Sequence, residues 1–154
     1  MRFNMSGLLG GISVVMTMMG GQALAGQGTA AEAEAMEGKA VAYIKQVGPE
    51  KAYEEITNGK MFKDRDLFAF VYDMNGKSLA HGGNPKLVGK DLMNMRDPDG
   101  KLPNKILIDV AKEKGKGWGS EVKFMNPVTQ QIQRRQVYVE RLGDTVVAAG
   151  IFLE

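Results

Sequence analysis

Three side chains in this sequence have the chemistry to hold a small anion. Arg135 stands in the polar run Gln133–Gln136, and its guanidinium presents a planar pair of N–H donors that matches a carboxylate. Because side chains alternate along a strand, Arg134 and Arg135 point to opposite faces, so one of them faces solvent. His81 is the only histidine, and its ring either donates to an anion or bonds backbone at a strand end. Tyr138 either offers its hydroxyl to a ligand or simply buries its ring.

The composition excludes several kinds of site. The 154 residues contain no cysteine and one histidine, which rules out disulfides, a thiolate zinc site, a covalently attached haem and a cysteine nucleophile. A formal net charge of +2 is too small to indicate a nucleic-acid partner, which needs a strongly basic face. The paired carboxylates Glu54–Glu55 and Asp97/Asp99 fall on a predicted helix surface and in a turn, too solvated for acid–base catalysis. We therefore expect no enzyme activity, no metal site and no bound cofactor.

Residues 1–25 are predicted to be a signal peptide. Arg2 gives a positive start, residues 8–19 are uncharged and mostly apolar, and Ala23-Leu24-Ala25 has small residues where a signal peptidase cuts. The apolar stretch is shorter than the ~20 residues of a transmembrane helix. An uncleaved membrane anchor is the alternative. Cleavage leaves residues 26–154 as one domain, which we expect in the periplasm.

Hydrophobic periodicity predicts three helices. Residues 30–47 carry apolar side chains at three- and four-residue spacing in a stretch rich in alanine and glutamate, the pattern of a long amphipathic helix. Gly48-Pro49 ends it and starts a shorter helix that runs to about residue 57. A third helix is expected over 103–114, where Gly115 follows.

The remaining periodic segments are typical of strands. An aromatic and β-branched run at 66–72 predicts a strand buried on both faces, and a turn ending in Gly76 joins it to a returning strand at 77–81. Further strands are predicted at 118–124, 132–141 and 145–152. A long connection over 84–102, with short helical turns, precedes the third helix. The order predicts an α+β domain with a PAS-like five-stranded antiparallel sheet, a long N-terminal helix and helices between strands 2 and 3.

Six short motifs follow one another between Phe68 and Leu153. They are the hairpin Phe70–His81, the connection Asn84–Leu92, the turns Asp97–Lys101 and Asn126–Thr129, Arg135 with Tyr138-Val139, and the closing Gly150–Phe152. In this order they resemble the single Cache domain of the second type, the extracellular sensor module of many bacterial chemoreceptors and histidine kinases. The long first helix is also typical of that family.

The resemblance implies a ligand pocket between the sheet and the connection 84–102, where similar domains hold small organic acids, amines or related metabolites. Carried over position by position, it assigns six ligand-binding residues: Arg135, His81, Tyr138, Phe70, Phe124 and Phe68. The arginine holds an anion, expected to be a carboxylate, the histidine and tyrosine orient it, and the phenylalanines cover its apolar part. The expected function is that of a sensory domain that binds a small molecule without transforming it.

The sequence also departs from the family pattern. Val122, Phe124 and Phe152 stand where the family usually has tyrosine, tryptophan and tyrosine, so the pocket loses hydrogen-bond donors and selects less strongly for polar ligands. The alternative function is a structural or interaction protein whose pocket is filled by its own phenylalanines.

Because the chain stops at Glu154, directly after the last predicted strand, we expect a separate membrane signalling protein to read out binding. A homodimer through the first helix also fits the resemblance.

Overall fold

Three α-helices and a seven-stranded antiparallel sheet form the described part of the chain, residues 26–154 of a computed structural model. The predicted signal peptide lies outside the described residues. The helices are α1 (Ala30–Val47), α2 (Pro49–Asn58) and α3 (Pro103–Lys114), with a 3-10 turn at Pro85–Leu87. The strands are β1 (Lys63–Asp64), β2 (Leu67–Asp73), β3 (Ser78–His81), β4 (Lys116–Trp118), β5 (Val122–Met125), β6 (Ile132–Leu142) and β7 (Thr145–Leu153). Across residues 26–154, none of the helices is long and apolar enough to cross a membrane.

The last two strands lie in the middle of the sheet. Its order is β1-β2-β7-β6-β4, while β3 pairs with β2 and β5 pairs with β6. The register sets Phe70 opposite both Ala148 and His81, and Arg135 opposite Phe152 and Val122. Because directly paired residues share a face of the sheet, residues far apart in the sequence meet on one side.

Each face of the sheet is covered by different elements. Along β2, Phe68, Phe70 and Tyr72 belong to the core cluster that includes α3 and the connection 84–102. The alternating residues Ala69 and Val71 belong to a second cluster, formed with α1 and α2. The sequence predicted this strand to be buried on both faces, and the structure confirms it.

The predicted helices and the hairpin of β2 and β3 are confirmed, but the strand predicted at 118–124 is two strands. Trp118 pairs with Tyr138 and Val122 pairs with Arg135, so β6 advances by three residues while its partner advances by four. The extra residue forms a bulge-like break between β4 and β5. The two-residue strand β1 was not predicted, since it is too short to show a period.

Polar contacts fasten the start of α1 to the sheet. The Thr29 hydroxyl accepts from the Glu32 N–H at 3.2 Å, and the Glu32 carboxylate accepts from the Thr29 N–H at 2.8 Å, which is a capping box. Arg65, in the turn between β1 and β2, donates to the Glu32 carboxylate at 2.6 Å. The N–H of Gly28 donates to Oδ1 of Asp66 at 2.7 Å. These contacts hold the first turn of α1 against the residues that lead into β2.

Candidate functional site

Arg135 lies in the first half of β6, only 3 % exposed, with phenylalanine rings around its guanidinium. The Cζ atom is 4.5 Å from the ring centroid of Phe68, 5.3 Å from Phe70, 5.1 Å from Phe124 and 5.1 Å from Phe152. All four distances are within the ~6 Å at which a cation is attracted to an aromatic face. We call these four rings, contributed by β2, β5 and β7, the aromatic cage.

Two nitrogen atoms of the guanidinium have no hydrogen-bond acceptor among residues 26–154. Its Nε and Nη2 atoms are buried and make no hydrogen bond within the described chain. Burial lowers the pKa of Arg135 to about 10, while Tyr72 and Asp66 act in the opposite direction, so the group remains a cation at neutral pH. A buried cation without an acceptor is costly. An anion with two oxygen atoms would satisfy both nitrogen atoms.

His81 lies beside the cage and is 1 % exposed. Its ring centroid is 5.3 Å from those of Phe68 and Phe70 and 6.4 Å from that of Phe124. Nδ1 accepts a hydrogen bond from the Asn84 N–H at 2.9 Å. Burial, followed by the positive charges of Arg135 and Lys63, lowers the pKa of His81 to about 3. The imidazole is therefore neutral, and because Nδ1 is an acceptor, Nε2 carries the proton and is a donor.

Tyr138 is not brought together with the other five predicted site residues. It is three positions from Arg135 on one strand, so alternation puts the two side chains on opposite faces. Its ring packs edge-on against Trp118 with centroids 5.5 Å apart, and the Trp118 indole donates to Glu34 of α1 at 2.8 Å. Tyr138 thus lies on the side of the sheet covered by α1, opposite to the face that carries the other five predicted site residues.

Sequence reasoning missed Tyr72 as a neighbour of the cage. Its ring lies 5.2 Å from that of Phe70, and it belongs to the same buried cluster as Phe68 and Phe152. Burial raises the pKa of Tyr72, and the charge of Arg135 opposes this rise, so the hydroxyl stays protonated. The period-two spacing of residues 68, 70 and 72 was the signal that would have found it.

A cavity of about 240 Å³ adjoins the cage, with Phe68, Phe124, Gly83, Asn84, Pro127 and Gln130 among its lining residues. A second cavity of about 250 Å³ shares Phe68, Gly83 and Pro127 with it. Arg135 lines neither of them. Since Phe68 and Phe124 line the first cavity and also contact the guanidinium, these rings separate the two, and the cage is closed.

Comparison with solved structures identifies the fold. A methyl-accepting chemotaxis protein from Vibrio parahaemolyticus is 24 % identical, with a TM-score of 0.70 over 80 % of this chain and 88 % of that one. The periplasmic sensor domain of a chemotaxis protein is 20 % identical, with a TM-score of 0.64 over 79 % and 88 %. A Cache chemosensory domain described for carboxylic acid recognition is 20 % identical, with a TM-score of 0.62 over 79 % and 83 %. The predicted PAS-like α+β fold is confirmed.

Comparison of sequences identifies the family. The sensor histidine kinase MctS of Rhizobium johnstonii is 29 % identical over 93 residues, which make up 58 % of this chain and 20 % of the kinase. This chain thus corresponds to a minor part of that relative. The family model described as single Cache domain 2 matches residues 4–154, and the chain therefore belongs to the single Cache domain 2 family.

Proposed function

We propose that this protein is a periplasmic sensory domain that binds a small carboxylate without transforming it. The observation that carries the proposal is the buried guanidinium of Arg135, whose Nε and Nη2 atoms have no acceptor within residues 26–154. A carboxylate would supply acceptors in the bidentate geometry that a guanidinium favours. The low dielectric of the aromatic cage would strengthen that pairing relative to water.

The neighbouring groups fit the same ligand. The Nε2–H of His81 and the hydroxyl of Tyr72 are neutral donors beside the cage, and the phenylalanine rings would cover an alkyl substituent. Four ring centroids lie 4.5 to 5.3 Å from Cζ of Arg135, and such close packing around the guanidinium favours an acid of few carbon atoms. The related solved domain described for carboxylic acid recognition supports this class of ligand.

The protonation states of His81 and Arg135 support binding without reaction. A general acid or base works best with a pKa near the operating pH, but the pKa of His81 is about 3 and that of Arg135 about 10. Both groups keep one charge state through the neutral range. They are therefore suited to hold and orient an anion, and poorly suited to exchange protons with it.

In this proposal a membrane signalling protein receives the signal. The similar proteins include a methyl-accepting chemotaxis protein and a sensor histidine kinase, and the matched residues make up 20 % of that kinase. We assign the readout here to a separate membrane signalling protein. A homodimer through α1 would use its outer face, because Ala33, Ala40 and Ile44 are buried inside the monomer.

Thermal unfolding of the full chain tests the proposed ligand class. The panel is acetate, propionate, lactate, pyruvate and succinate, with acetamide and propionamide as matched neutral controls. A ligand at 100 times its Kd adds about 2.7 kcal/mol, which corresponds to a rise of roughly 5–15 °C for a domain of this size. We expect at least one acid to raise the midpoint, neither amide to do so, and the effect to vanish in Arg135→Met. A shift of equal size in Arg135→Met would contradict the proposal.

The closed cage favours one second candidate, an interaction protein whose pocket is filled by its own side chains. In that case the four rings around Arg135 are packing, and a protein partner contacts the surface. An absence of any shift across the panel, together with unchanged binding of a receptor partner in Arg135→Met, would favour this second candidate.

A further inference from the structure

The cage is closed, so a ligand needs a route to Arg135. The route inferred below rests on the proposed function. Phe68 and Phe124 have the guanidinium on one side and the cavity of about 240 Å³ on the other. Two segments could uncover them. One is the connection 84–102, and the other is the turn Asn126–Gln131 between β5 and β6, which we call the hairpin turn.

The connection is held by buried and backbone contacts along its length. The amide of Asn104 in α3 donates to the Leu92 carbonyl at 2.9 Å, and the Leu92 N–H donates to the Gly76 carbonyl at 2.9 Å. Asp97 accepts from the N–H groups of Asp99 and Lys101 within its own turn and of Lys123 on β5, at 2.9 to 3.0 Å. Moving this segment would break several of these bonds together.

The hydrogen bonds of the hairpin turn are all made within residues 126–133, among them Asn126 N–H to the Gln131 carbonyl and Gln130 N–H to the Asn126 carbonyl, each at 2.9 Å. None of them joins the turn to a part of the described chain outside its own hairpin. Val128 in the turn and the flanking Met125 and Ile132 are 57 %, 45 % and 52 % exposed, so little apolar burial holds the turn against the rest of the domain. Gln130 has a φ of 60°, a conformation that costs a non-glycine residue energy. One buried side chain holds the turn: Asn126 accepts from the Val128 N–H at 2.9 Å and donates to the Gln133 side chain at 2.6 Å.

On the opposite side of the cavity, the lining residue Gly83 has no side chain. A Cβ atom on Gly83 would lie 2.5 Å from the Phe68 ring, so the absence of a side chain at position 83 leaves that ring flush with the cavity. From these features we infer that ligands enter past the hairpin turn, with Phe68 and Phe124 as an inner gate, while the connection 84–102 stays in place.

A thiol reporter measures this access without knowledge of the natural ligand. The chain has no cysteine, so Val137→Cys places a single thiol inside the cluster. Val137 is buried and flanks Gly150 together with Arg135, since a Cβ at that glycine would be 2.7 Å from Val137 Cγ2 and 3.0 Å from Arg135 Nε. Its alkylation rate by iodoacetate, and by neutral iodoacetamide in parallel, reports how often the cage opens.

Two buried asparagines give a matched pair of variants in this background. Asn126→Ala frees the hairpin turn and Asn104→Ala frees the connection, and both residues are about equally buried, at 2 % and 3 % exposed. Loss of one hydrogen bond should raise the opening equilibrium about fivefold, and Asn126→Ala removes two such bonds where Asn104→Ala removes one. We expect Asn126→Ala to speed alkylation by both reagents by that factor or more, and Asn104→Ala to leave it within twofold.

Three results would contradict the inferred entry route. They are acceleration by Asn104→Ala alone, equal acceleration by both variants, and rates that follow the global unfolding constant measured in urea. Hydrogen exchange of the wild type gives a test that needs no substitution: the amides of Asn126 and Gln130 should open more readily than those of Leu92 and Asp97, and the reverse order would contradict the inference. Because labelling does not require a natural ligand, these results are separate from the carboxylate panel.

Discussion

The cation of Arg135 and the ring of Phe68 are 4.5 Å apart, on strands β6 and β2. The ring stabilises the buried charge in part, because an aromatic face attracts a cation. It cannot accept hydrogen bonds as an oxygen atom does, so the nitrogen atoms stay unsatisfied. Burial of this cation therefore costs free energy in the ligand-free protein, and a bound anion would reduce that cost.

Removing that charge should stabilise the empty protein. Arg135→Met keeps a long apolar side chain in the cage and removes the buried cation, so the free energy of unfolding should rise by about 1–3 kcal/mol. Urea unfolding without ligand measures the change. The control is Arg134→Met on the opposite face, where the side chain is 49 % exposed and the expected change is within about 0.5 kcal/mol. A large loss of stability in Arg135→Met would show that the cage satisfies the guanidinium better than the structure indicates.

His81 should make the protein less stable as the pH falls. Its folded pKa of about 3 lies below the ordinary value of 6.5, so between these values the unfolded chain binds a proton that the folded chain does not. The contribution of His81 to stability is then lost on acidification from about pH 6.5 towards pH 3, with a slope of up to about 1.4 kcal/mol per pH unit. Because other groups also titrate in this range, the measured quantity is the difference from wild type: in urea unfolding at pH 7, 6, 5 and 4, His81→Gln should gain stability relative to wild type as the pH falls. A difference that does not change with pH would show that His81 binds its proton equally well in the folded and unfolded states.

Glu37 should have the opposite effect. It is buried in the inner face of α1 with Oε1 unbonded within the described residues. Burial, and then the charge of Glu140, raise its pKa to about 8 from 4.5, with Lys116 opposing and Glu34 adding a little. The folded protein thus holds a proton that the unfolded chain releases above pH 4.5, and the contribution of Glu37 to stability should fall as the pH rises from about 4.5 to 8. Between pH 4.5 and 6.5 it opposes the contribution of His81, so it is read as a difference in urea unfolding: Glu37→Gln should gain stability relative to wild type as the pH rises, whereas the exposed Glu113→Gln should follow the wild type.

Gly150 should not tolerate a side chain. A Cβ there would lie 2.7 Å from the Gln136 carbonyl oxygen and 3.0 Å from Arg135 Nε, so Gly150→Ala should cost about 1–3 kcal/mol through overpacking. Gly38, on the exposed side of α1, has nothing within 4 Å of its Cβ position. Gly38→Ala should therefore stabilise by about 0.5–1 kcal/mol. Thermal unfolding of both variants measures the contrast, and equal effects would contradict the packing around Arg135.

Local patterns predicted the helices and the β2–β3 hairpin because each has its own period, cap or turn residue. They did not predict the break at Gly119–Glu121, since an extra residue in one strand becomes visible only against the register of its partner. The burial of Glu37 was not predicted. The apolar stripe of a helix predicts which face is buried, but it does not show that one charged residue also lies on that face.

The site was predicted unevenly for a related reason. Five of the six predicted residues meet because the strands that carry them, β2, β3, β5 and β6, are joined in one sheet through β7. Strand order is a long-range property that family motifs preserve and that hydrophobic periodicity does not encode. Tyr138 was carried over with its motif although three positions on a strand reverse the face. The closure of the cage depends on how four rings from three strands pack, and no local sequence pattern encodes it.

The bond between Gly28 and Asp66 has a mechanical consequence. Asp66 stands one residue before β2 and two before Phe68, and its carboxylate anchors the backbone that leads into α1. Because Phe68 is only two residues from Asp66, a displacement of the Phe68 backbone would also move the carboxylate that holds the start of α1. The phenylalanine that covers the Arg135 cation and the first turn of the longest helix are thus connected through the same few peptide units.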